Sequence, residues 1–189
     1  MGLIAAGGEI AFLAMKRSTI AICLWVMLTT AGFVQGATPT EKLKELGLTL
    51  PAVSAPVANY VSSVRVGDLV YLAGHIPRDE AGQPITGVVP TSMEIPAARA
   101  AAERTALALL ASLQAEIGDL AKVKRVVRVE GFVASADDFT AQPSVINGCS
   151  DLLVAVFGDA GRHTRAAIGV NTLPLGVVVE ISMIVQVQD

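Results

Sequence analysis

Runs of basic residues are the first thing the sequence lacks. After Lys16-Arg17 basic residues come no denser than the strand-like Lys122–Arg128 stretch, and 14 basic against 17 acidic residues leave a formal net charge of −3. Nucleic-acid surfaces draw much of their affinity from such clusters meeting phosphates, so a nucleic-acid partner has no electrostatic support and none is expected. Cysteine and histidine are scarce, at two each. Cys23 falls in the apolar N-terminal stretch, which leaves Cys149 alone in the remainder. One cysteine forms no internal disulfide, so packing has to hold the domain together. Two histidines and one cysteine offer no metal-ligand spacing, and neither a metal nor an organic cofactor is expected. There is also no internal repeat and no sign of a second domain.

What is present begins with an export pattern. Lys16 and Arg17 precede the uncharged apolar run Ser18–Val34, followed by Gln35-Gly36-Ala37-Thr38-Pro39. A basic patch, a short apolar core and small residues at the end are the marks of a secretory signal peptide. Residues 1–36 are expected to be that peptide, with the mature chain starting at Ala37. Met15 reads as the natural start, and residues 1–14 as an upstream miscalled start or an extended n-region of the signal. An uncleaved membrane anchor is the alternative, because roughly 17 apolar residues lie near the lower limit for spanning. Cleavage implies an exported protein, periplasmic or secreted, without stable membrane association; a signal that does not work would leave it cytoplasmic. The remaining residues, about 150, suit one domain with a real core.

Along residues 37–189 the periodicities predict a short helix from Thr40 as N-cap to Gly47, then an extended Leu50–Pro56. Strands follow at Asn59–Arg65 and Leu69–Ala73, joined by a Gly67-Asp68 hairpin turn. Gly74–Pro90, rich in glycine and proline, reads as loop. A long helix runs from Pro96 to Ile117, with a stripe of Ala102, Ala106, Leu109, Leu110, Leu113 and Ile117 at helical spacing and Gly118 as its stop. A third strand is expected at Val123–Val133 and a second long helix at Gln142–Phe157. The order ββαβαββ, with helices able to cover one sheet face, defines an α+β two-layer domain.

The last two strands carry the candidate site. The first places Arg165, Ala167, Gly169 and Asn171 on one face. The second places Val177 to Val187 on one face, with Glu180 and Ser182 on the other. If the two pair as a hairpin through Leu173-Pro174-Leu175-Gly176, Arg165 falls opposite Ser182 and Ala167 opposite Glu180, all on one face. A guanidinium and a carboxylate beside small residues outline a pocket for a small anion.

Several segments then point to a family. Tyr60-Val61, Gly67 through Pro77 (GDLVYLAGHIP), Gly118-Asp119-Leu120 with Val123-Lys124, Asp138-Phe139, Asn147, Arg165, Leu173-Pro174 and Val179-Glu180-Ile181 occur in an order that spans nearly the whole domain. Together they resemble the YjgF-like (Rid, reactive-intermediate deaminase) family, also known as endoribonuclease L-PSP or chorismate-mutase-like. The resemblance implies a chorismate-mutase-like fold with helices on one face of a mixed sheet. It also implies a homotrimer whose sheets form a central barrel, with ligand clefts between subunits. In deaminating members an arginine holds the carboxylate of a 2-imino acid, and water hydrolyses the imine to a 2-oxo acid and ammonia. Arg165 matches that arginine, Tyr60 the first-strand tyrosine and Asn147 a helical asparagine near the cleft. Ala73, Gly74 and His75 replace the family's usual S-G-Q. Ala167 stands where a cysteine is usual, and Glu180 matches the first of two last-strand glutamates. Ser182 takes the place of the second, which helps position water. His163, two residues before Arg165, would share its face and could supply a proton donor or acceptor.

The resemblance implies an imine deaminase in which Arg165, Glu180 and Ser182 are the catalytic candidates. The substrate contacts would come from Tyr60, Ala73, Gly74, His75, Asn147, His163, Arg165 and Ala167. A non-catalytic trimer binding carboxylates or other small metabolites is the alternative. A ribonuclease is the third reading, disfavoured by the acidic balance.

Overall fold

A proline at the first helical position and a threonine before it set the first boundary. In the computed structural model, which describes residues 36–53 and 58–189, helix α1 spans Pro39–Glu45 and its N-cap is Thr38 rather than Thr40. The Thr38 hydroxyl accepts from the Glu41 N–H at 3.3 Å while the Glu41 carboxylate accepts from the Thr38 N–H at 2.7 Å. This reciprocal box satisfies two backbone donors that a helix start leaves free. Proline needs no such partner and suits the first turn. The expected export segment, Gly36 aside, lies outside the described residues, as does part of the extended stretch at 54–57.

Strand β1 (Ser63–Val66) and strand β2 (Leu69–His75) form the hairpin, with Val66 opposite Leu69 across Gly67-Asp68. Gly67 adopts φ 62°, the left-handed backbone that a two-residue turn asks of glycine. β1 is shorter than the alternation from Asn59 suggests. The pairing of β2 with its other neighbour, β5, shifts register between Leu72 and His75, close to where β1 begins.

Helix α2 (Ile95–Ile117) ends where Gly118 takes φ 83°, and all six residues of its predicted stripe are buried. Strand β3 (Val123–Ala134) and helix α3 (Gln142–Phe157) follow, then strand β4 (Thr164–Val170) and strand β5 (Val179–Val187). The five strands form one mixed sheet in the order β1-β2-β5-β3-β4. α2 and α3 cover one face and bury Val70, Val129, Val133, Ile181, Met183 and Val185 beneath them. Small residues let the layers close. A side chain at Gly148 would strike the backbone carbonyl of Arg99 on α2, and one at Gly131 would strike Ile146 on α3.

The C-terminal strands correct the expected hairpin. β4 does not pair with β5; it pairs in parallel with β3, Val129 opposite Arg165, and β5 pairs antiparallel with β3 on its other side, Val129 opposite Met183. Residues 171–178 carry the chain over the end of β3, a span of two strand spacings or about 10 Å. Hydrogen bonds from Ser135 N to Val170 O (3.0 Å) and from Ala134 N to Val178 O (2.9 Å) fix that crossing at both ends. The helix between β3 and β4 supplies the crossover that a parallel pair requires.

Candidate functional site

Inserting β3 between β4 and β5 changes which residues share a face. Arg165 aligns with buried Val129 and Met183, on the helix side of the sheet. Glu180 and Ser182 align with Phe132 and Glu130 and point to the open side. The predicted placement of Arg165 opposite Ser182, and of Ala167 opposite Glu180, on one face is therefore wrong within a single chain. Neither do Arg165 and Glu180 form an ion pair. The candidate residues divide instead into two groups.

The first group lies between β4 and α3. Arg165 Nη1 donates to Asn147 Oδ1 at 2.8 Å and to Ser150 Oγ at 3.0 Å. Asn147 and Ser150 are three residues apart on α3, so they project from one side of the helix. His163 joins them: its Nε2 lies 3.1 Å from Ser150 Oγ and its Nδ1 2.6 Å from the Gly161 carbonyl. Burial holds the His163 pKa below the ordinary histidine value; the Gly161 hydrogen bond pulls the other way, and the Arg165 charge adds a smaller lowering. Ala167 continues the same strand face and packs against the core. Cys149, next on α3, is fully buried, and burial pushes its thiol up to about 12, so it behaves as a small apolar residue rather than a nucleophile.

The second group lies on the open side of the sheet. The Glu180 side chain lies over the Gly74 backbone so closely that a methyl group on Gly74 would overlap the carboxylate. Partial burial raises the Glu180 pKa above the usual carboxylate value. Ser182 donates to Glu130 Oε2 at 3.5 Å, the limit of a hydrogen bond. Glu130 is also paired with Arg128 at 2.9 Å, so β3 brings in a carboxylate that the strand pattern did not single out. Ala73 uses its N–H on Ser62 O and its carbonyl on His75 Nδ1.

Two candidates stand apart. Both ring nitrogens of His75 are engaged, Nδ1 with Ala73 O at 2.8 Å and Nε2 with Ser112 Oγ of α2 at 2.7 Å. The ring ties β2 to α2 and has no nitrogen left for a ligand. Tyr60 lies ahead of β1, outside the sheet, and is half exposed. Ser150 and Glu130 were not among the expected residues. For Ser150 the signal was its three-residue spacing from Asn147.

Among the described residues no three histidine, cysteine, aspartate or glutamate side chains converge as a metal site would need, and no helix is long and apolar enough to cross a membrane.

This sheet order and two-layer packing define a known class, and the sequence agrees. Residues 40–187 match the family model described as "YjgF/chorismate mutase-like, putative endoribonuclease". The chain belongs to that family. It is similar to Protein TCP17 of Trypanosoma cruzi, 43% identical over 148 residues that cover 78% of this chain and 92% of the relative. Among solved structures, the protein Atu1372 of unknown function from Agrobacterium tumefaciens is 42% identical, with a TM-score of 0.74 over 79% of this chain and 92% of its own. A "putative endoribonuclease" from Shewanella oneidensis gives a TM-score of 0.77 at 28% identity, over 80% of this chain and all of its own. RidA from an Antarctic Psychrobacter is 27% identical, with a TM-score of 0.52 over 74% of this chain and 96% of its own.

Proposed function

We propose that this protein is a small-molecule enzyme of the RidA kind. It would hydrolyse 2-imino acids to 2-oxo acids and ammonia, with Arg165 holding the substrate carboxylate. One observation carries the reading. Asn147 and Ser150 occupy Nη1 of Arg165, and the Nε/Nη2 edge of the same guanidinium is left without a protein partner among the described residues. That edge presents two parallel N–H groups with the spacing of a carboxylate, a bidentate match that lysine cannot make.

In the reaction one water adds to the C=N carbon, its proton passes to nitrogen, and collapse of the adduct expels ammonia and leaves the carbonyl. Glu180 suits the proton-handling step, since burial holds its carboxyl closer to neutrality and so to the pH at which a general acid or base works well. Arg165 and Glu180 lie on opposite sides of one sheet, so the reading requires two chains: the Arg165 group of one meets the Glu180–Gly74 group of its neighbour. The homotrimer belongs to this proposal, as does export after removal of residues 1–36.

A carboxylate-binding trimer without turnover is the second reading. Ser182 favours it, because a hydroxyl barely within reach of Glu130 replaces a group that would orient water. One assay separates the two. Purified protein is added to an amino-acid oxidase that forms 2-imino acids in situ, and release of 2-oxo acid is followed. The enzyme reading expects release faster than the spontaneous rate, and no acceleration with Arg165→Ala. Tight binding of 2-oxo acids with no acceleration would leave the binder reading standing.

A further inference from the structure

Ser150 does more in the Arg165 group than fill space on α3. The Gly161 carbonyl 2.6 Å from His163 Nδ1 can only accept, so in the neutral ring Nδ1 carries the hydrogen and Nε2 is a lone pair. The Ser150 hydroxyl, 3.1 Å from Nε2, is therefore the donor of that bond. With its hydrogen committed to His163, Ser150 Oγ offers its lone pairs to Arg165 Nη1. Asn147 Oδ1 takes the second Nη1 hydrogen. Two acceptors on one nitrogen fix the plane of the guanidinium and hence the aim of its opposite edge. The His75–Ser112 pair has the same histidine geometry, but among the described residues no guanidinium bonds to it, so it serves as a strand-to-helix tie.

We propose that Ser150 is a positioning residue for the Arg165 anion site, and that through it the site is coupled to His163, which takes up a proton when a carboxylate docks. This rests on the functional reading above. Of the charges on elements around His163, Asp151 of α3 is paired with Arg99, Asp159 with Arg162 in the preceding turn, and Arg128 of β3 with Glu130. Arg165 is the charge that acts on the imidazole, and it disfavours the protonated ring. A carboxylate on the Nε/Nη2 edge offsets that charge, so docking raises the His163 pKa. By reciprocity the carboxylate binds more tightly as pH falls through the His163 range. Protonation also turns Nε2 into a donor. Ser150 Oγ then accepts from both His163 and Arg165, and its own hydrogen is released toward the bound anion.

The test uses imidazole 15N NMR with pyruvate as the probe. There are two histidines, so a His75→Gln variant assigns both signals. Neutral His163 is expected as the Nδ1–H tautomer, and saturating pyruvate should raise its midpoint by about half a pH unit. That equals a limit of roughly threefold tighter binding well below the His163 midpoint than well above it, and His163→Gln should flatten the profile. Ser150→Ala should weaken pyruvate about tenfold, the value of a hydrogen bond to a charged group, at an unchanged melting temperature. Ser150→Thr should restore most of it. A neutral Nε2–H tautomer, a midpoint that ignores pyruvate, or full affinity in Ser150→Ala would each overturn the proposal. Arg165→Ala keeps the two claims apart. If it abolishes binding while Ser150→Ala binds as tightly as wild type, the positioning claim alone falls. If pyruvate binds Arg165→Ala as well as wild type, or binds neither, the site reading falls and takes this one with it.

Discussion

Each of the two histidines spends both ring nitrogens on protein groups, and burial is the first cause that lowers the pKa of each. The sign of the consequence follows from linkage. The unfolded chain takes up protons near the ordinary histidine value of about 6.5, while the folded chain resists until lower pH. Stability is therefore fully present above that value and falls as pH drops through it toward the folded pKa values. His75, tied between Ala73 and Ser112, should contribute a large part of this. Urea denaturation of His75→Gln at pH 7 and pH 5 should show a shallower loss of stability on acidification than wild type. An unchanged loss would mean that His75 is not buried as a neutral ring.

The helix elements rest on contacts that a single methyl group would break. Gly148 lets α3 lie against α2, and its missing side chain would otherwise meet the Arg99 carbonyl, which is backbone and cannot swing aside. Gly148→Ala should cost about 3 kcal/mol, the upper range for overpacking, measured as a lowered urea midpoint at constant slope. Gly74→Ala differs in kind, because there the obstacle is the flexible end of Glu180. Which elements the sequence revealed follows the same logic of range. The α2 stripe from Ala102 to Ile117 was legible because helical period is a local property, and each of those residues is buried. The β5 alternation correctly separated buried Ile181 and Met183 from Glu180 and Ser182. Alternation names the buried face of a strand but not its neighbour. The adjacency of Arg165 to Ser182 was therefore a guess about pairing, and β3 stands between them. A strand, a 16-residue helix and a strand in succession carried the better signal, since such a unit favours parallel pairing of its two strands. Ser150 was hidden for a related reason: its role arises only when β4 docks beside α3.

At the scale of the molecule, the face of the sheet away from the helices carries uncovered apolar residues beside the Glu180 group. Val64, Val66, Tyr71 and Ile168 lie on it with 49%, 62%, 43% and 49% of their surfaces exposed. Apolar residues so exposed on one face are what an assembly would cover, and this supports the trimer in the proposed function. Light scattering of the chain from Ala37 onward should report about three times the monomer mass, and a stable monomer at micromolar concentration would remove the shared cleft.

The central claim is that Arg165 captures a carboxylate, and titration calorimetry with pyruvate tests it most directly. Arg165→Ala should lose about 2–5 kcal/mol of binding, roughly 30-fold or more in affinity, with an unchanged melting temperature. Arg165→Lys should recover a part of it, since an ammonium cannot present two parallel donors. Wild-type affinity in a well-folded Arg165→Ala protein would contradict the account and make Arg165 a structural residue that ties β4 to α3.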